Sequence, residues 1–90
     1  MKYAEAFRRS VVHLSFADSY SSIVSRFGPP AGERVSGDYQ VLLYPARRVS
    51  LVLKNSRYIG ALDSSGRVVD SVSLPDSTSS AYLLRSLPSF

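Results

Sequence analysis

The chain predicts an α+β domain: two N-terminal helices packed on a three- or four-stranded antiparallel sheet, with a possible short C-terminal helix. Three observations carry this expectation. Apolar residues recur at helical spacing near the N-terminus, then switch to alternation after Gly37. Turn residues punctuate the alternating part at short intervals, as antiparallel hairpins require. No helical stretch separates the strands, so the β-α-β order of a doubly wound sheet is missing. The 90 residues form one domain, because a chain of this size builds a single core.

Lys2 to Leu14 reads as an amphipathic helix, with Tyr3, Phe7, Val11 and Leu14 on one stripe. Asp18 or Ser19 can cap a second helix, which runs from Ser19 to Phe27. Tyr20, Ile23, Val24 and Phe27 line its apolar face. Gly28 stands at the residue past its end, and Pro29-Pro30 forbid continuation. Ala31 to Gly37 is expected to be a polar connection.

Tyr39–Tyr44 is the first strand, apolar on both faces and closed by Pro45. Arg47-Arg48 fill the next turn. Val49–Leu53 is the second strand, and Lys54-Asn55-Ser56-Arg57 is its hairpin loop. Tyr58–Leu62 is the third, followed by the turn Asp63-Ser64-Ser65-Gly66. Arg67–Leu74 is a fourth strand, polar enough to be an edge. A short helix over Ser79–Leu87 closes the chain. The helices are expected on one face of the sheet, with the other face left open.

Composition removes several kinds of function. There is no cysteine, so disulfides, thiolate metal sites and cysteine nucleophiles are excluded. His13 is the lone histidine, and it reads as an exposed residue at a helix C-terminus rather than a ligand. Asp18, Asp38, Asp63 and Asp76 fall where turns or caps need acceptors. Serine is abundant, yet no G-x-S-x-G elbow is present. Gly28 to Gly32 is no phosphate loop, since its prolines lack amide hydrogens. These observations point to a non-enzymatic chain without cofactor or metal. No apolar run reaches the ~18 residues of a membrane span.

The 11 basic and 7 acidic side chains give a net charge of +4, which permits an acidic partner without requiring one. The candidate partner-binding residues are Tyr39, Tyr44 and Tyr58 in strands and Arg47, Arg48 and Arg57 in turns. Tyrosines on an open sheet flanked by arginines suit protein contact. As the alternative, they could stack bases and pair phosphates. No RNP-like cluster is present, so nucleic acid stands second to an unknown protein partner. A homodimer through the polar edge strand and the open face is also expected.

Ser19-Tyr20-Ser21-Ser22-Ile23-Val24-Ser25-Arg26-Phe27-Gly28-Pro29-Pro30 resembles the short helix and Gly-x-Pro stop of the SmpA/OmlA (BamE-like) lipoproteins. Val41-Leu42-Leu43-Tyr44 and the Val49–Leu53 strand resemble that family's aromatic-bearing strands. The resemblance covers about residues 17–63. It implies two helices on a three-stranded antiparallel sheet and a non-catalytic domain that works by contact with other proteins. It also implies the periplasm or cell envelope if a signal sequence was removed; otherwise the chain is expected in the cytoplasm.

Overall fold

The computed structural model describes residues 13–88. In chain order these form helix α1 (Tyr20–Phe27), β1 (Gly32–Ser36), β2 (Tyr39–Tyr44), a 3-10 turn (Pro45–Arg47), β3 (Val49–Lys54), β4 (Arg57–Asp63), β5 (Val68–Ser71) and helix α2 (Ala81–Arg85). The strands make one antiparallel sheet in the order β1-β2-β3-β4-β5. The domain is therefore α+β, as its periodicities foretell.

α1 begins and ends on its sequence signals. Ser19 is the N-cap, and its backbone N–H donates to Ser22 Oγ at 2.8 Å while Ser22 N–H donates to Ser19 Oγ at 3.4 Å. Ser22 thus completes a capping box that more often uses Glu or Gln. Past the last turn, Gly28 takes φ 83, and its N–H donates to Val24 O. Ile23 is fully buried, and Tyr20 and Phe27 pack against the same cluster.

Two expectations are corrected, and a third falls almost wholly on residues that are not described. The helix expected over residues 2–14 lies outside the described residues, except that His13 and Leu14 are not helical. The segment expected to be a loop before Tyr39 contains β1, so the sheet has five strands rather than three or four. Gly32-Glu33-Arg34-Val35-Ser36 has no apolar alternation, and it becomes a strand because β2 offers it a complete backbone ladder. Among the described residues one N-terminal helix, α1, covers one side of the sheet, and the short C-terminal α2 covers the other, which was expected to stay open.

The two sides follow from strand alternation. Leu42, Tyr44, Val49, Leu51, Leu53, Tyr58 and Ala61 join Ile23 of α1 in one cluster. Val41, Val52 and Ile59 join Leu84 of α2 in the other. A β-bulge in β4 links them. Gly60 pairs with Val52 and Tyr58 with Leu53, so Ile59 is an extra residue. The bulge sends Tyr58 to the α1 side and Ile59 to the α2 side.

Gly60 (φ 154) is the contact point for α2. A Cβ there would collide with Leu84 Cδ1 and lie 2.6 Å from Asp70 O. Gly60→Ala should destabilise the domain by about 2–3 kcal/mol in chemical denaturation. Adding Leu84→Ala should not restore it, because the backbone clash at Asp70 remains.

The β3–β4 turn carries the opposite opportunity. Asn55 and Ser56 have φ of 52 and 67, the pattern of a type I′ hairpin. Serine gains nothing from that region, whereas Asn-Gly suits it. Ser56→Gly should raise stability by roughly 0.5–1 kcal/mol, read as a higher denaturation midpoint at constant slope.

Candidate binding surfaces

The structure divides the six expected partner-binding residues rather than assembling them. Tyr44 and Tyr58 lie in the core on the α1 side. The Tyr44 hydroxyl donates to Gly28 O at 2.8 Å, and the Tyr58 hydroxyl to Asp70 Oδ2 at 2.6 Å. Tyr39 is half-buried on the opposite side, with Lys54 Nζ 5.7 Å from its ring centroid. The three tyrosines do not form one platform.

The arginines separate as well. In the strand register Tyr44, Val49 and Asp63 form one end row, and Tyr39, Lys54 and Arg57 the other. Arg47 and Arg48 precede Val49 and belong to the first end. Arg57 belongs to the second, about 17–20 Å away along the strands. Its guanidinium is committed there: Arg57 Nη1 donates to Ala17 O at 2.8 Å. That bond, with Tyr58 N–H to Asp18 O at 3.0 Å, holds the segment before α1 against the start of β4.

At the first end the chain builds a cluster that sequence spacing conceals. Arg47 Cζ lies 4.5 Å from the Phe27 ring centroid, and Arg26 Cζ lies 5.5 Å from it. Arg26 Nη1 also donates to His13 O at 2.8 Å. Arg48 sits at φ 60, and its N–H closes the 3-10 turn on Pro45 O at 3.0 Å. Arg26 was legible only as a polar position on a helix, because its neighbour Arg47 comes from another element.

The other missed feature is the edge. Among the described residues β1 pairs only with β2, so its second side is a free ladder. Val35, next to its last residue, is 68% exposed, more than any other large apolar residue described. A lone valine in a polar segment was the one available signal. At the far edge, β5 is followed by a Ser73–Ser79 bridge, and α2 covers the sheet beside it, so the expected open face is occupied there.

Electrostatically the interior is quiet. Burial, then the bond to Asp70, drives the Tyr58 hydroxyl far above its ordinary range. Burial also raises Tyr44, with Glu33 adding to the shift and Arg47 opposing it. The Tyr20 hydroxyl bonds Glu33 Oε2 at 2.5 Å, which raises Tyr20. Asp63 and Asp76 are lowered, chiefly by the Ser65 and Thr78 hydroxyls of their own turns. Among the described residues no group of His, Cys, Asp or Glu gathers to hold a metal ion. No described helix is long and apolar enough to cross a membrane.

Comparison of the chain with protein families, curated proteins and solved structures returns no match.

Tyr58 gives a direct test of the core. Tyr58→Phe removes the donor to Asp70 and should cost about 1–3 kcal/mol in denaturant unfolding at neutral pH. Its folded pKa lies above the unfolded value of 10.0, so the neutral hydroxyl stabilises fully below pH 10. That contribution is lost as pH rises beyond it. A pH series should therefore show wild-type stability falling above pH 10, with a shallower fall in Tyr58→Phe. Tyr20 and Tyr44 should leave a residual slope.

Proposed function

We propose that the chain is a non-catalytic protein-interaction domain that takes an extended segment of its partner along the free edge of β1. The observation that carries this reading is the exposed Val35 on a strand edge that no described strand pairs. A free edge presents backbone donors and acceptors in a fixed row, and an incoming strand can bond to them without disturbing the core. Glu33 and Val35 share one face of β1, and Arg34 projects from the other. An added strand would meet a carboxylate and an apolar contact on one side and a guanidinium on the other. These side chains select the partner while the backbone supplies common affinity.

The earlier idea of an interface through the tyrosines does not suit this arrangement. Tyr44 and Tyr58 would have to leave the core to meet a partner. The same burial removes the base-stacking surface on which a nucleic-acid reading depends. Under the resemblance to the SmpA/OmlA lipoproteins, the partner is another protein of the cell envelope.

A photo-crosslinking amino acid at position 35 tests the edge in cells that make the protein. It should yield one discrete adduct, whereas the same group at the exposed helix residue Arg85 should yield none. No adduct at 35, or equal adducts at both positions, would remove the edge as the interface.

A further inference from the structure

We propose that the end of the sheet carrying Arg26, Arg47 and Arg48 binds an acidic peptide segment through its carboxylates. This surface lies beyond the strand ends and does not rest on the β1 reading.

Three features support it. The first is charge that no described carboxylate bridges. The one salt bridge among the described residues joins Lys54 and Asp38, at the opposite end. Asp63 is the acid in the end row with Val49, but its Oδ1 already accepts from Ser65 N, Ser65 Oγ and Arg67 N at 2.7–2.9 Å. Glu33 is held by the Tyr20 hydroxyl and by Gln40 Nε2 at 3.1 Å. Neither carboxylate bridges to the three guanidinium groups.

The second feature is preorganisation. Free arginines on a surface lose rotamer freedom when they bind, and that loss offsets much of the gain. Here Arg26 and Arg47 are both held over the Phe27 ring, and Arg26 is also tied to His13 O. The backbone at Arg48 is fixed by the turn bond to Pro45. Each guanidinium has donors to spare beyond these contacts, and a planar fork matches a carboxylate.

The third feature selects the partner. Phosphates would satisfy the same guanidinium groups, but a nucleic-acid strand also needs aromatic faces for its bases. At this end the Phe27 ring is already covered by arginine, and Tyr44 is buried with its hydroxyl on Gly28 O. Charge without a stacking platform fits carboxylates on a peptide.

Fluorescence anisotropy with a labelled poly-glutamate peptide at low ionic strength tests this. Arg47→Gln combined with Arg48→Gln should weaken binding at least about tenfold. Lys54→Gln combined with Arg85→Gln removes the same charge elsewhere and should weaken it less than about threefold. Circular dichroism matching the wild type would show that both pairs are folded. Equal loss in the two pairs would reduce the effect to net charge and overturn the site. So would no binding by the wild type. Tighter binding of single-stranded DNA, displacing the peptide, would reassign the surface to nucleic acid and overturn the proposal.

Discussion

The rest of the fold depends on one extra residue in β4. Without the bulge at Ile59, strand alternation would place Tyr58 and Gly60 on one side of the sheet. With it, Tyr58 enters the α1 cluster while Ile59 and Gly60 face α2. Gly60 then leaves the space that Leu84 fills. The Ile59 carbonyl accepts from Ser80 Oγ at 2.5 Å, and Ser80 Oγ accepts in turn from Val72 N–H at 2.9 Å. The buried hydroxyl satisfies two backbone groups that the irregular strand would otherwise strand in the core. Both terminal segments are thereby fastened to β4.

That fastening accounts for the interior position of Tyr44 and Tyr58. A sheet with apolar residues on both faces requires cover on both faces. Among the described residues the cover is short: α1 on one side, and a five-residue helix on the other. Large aromatic side chains fill what such small helices cannot. Tyr58 can be wholly buried because Asp70, across the β4–β5 pairing, receives its hydroxyl. Tyr44 can be buried because the end of α1 presents Gly28 O. Among the described residues, the edge of β1 and the Arg26–Arg47 end of the sheet lie at the periphery.

Much of this was legible from residues alone. α1 was readable because its cap, stripe, Gly28 and Pro29 all act within a few residues of one another. β2, β3 and β4 were readable because alternation and turn residues are local signals, and their observed limits fall within a residue or so of expectation. β1 was not readable. Its Glu33, Arg34 and Val35 are mostly exposed, and burial is what writes a pattern into sequence. The binding surfaces were the least legible. Arg47 and Arg57 looked equivalent as turn residues, yet antiparallel pairing puts them at opposite ends of β3.

By itself, then, the sequence determined the α+β class, the start and stop of α1, the order of the main strands and the lack of any thiol chemistry. These depend on short-range constraints: capping, the fixed φ of proline, side-chain alternation and residue type. Tertiary structure alone decided that α1 and α2 lie on opposite faces, that β1 completes the sheet, that Tyr44 and Tyr58 are interior, and that Arg26 meets Arg47 over Phe27. Each of these depends on which residues distant in the chain share a face. That is fixed by strand register and by the bulge in β4, and neither leaves a periodic mark in the sequence.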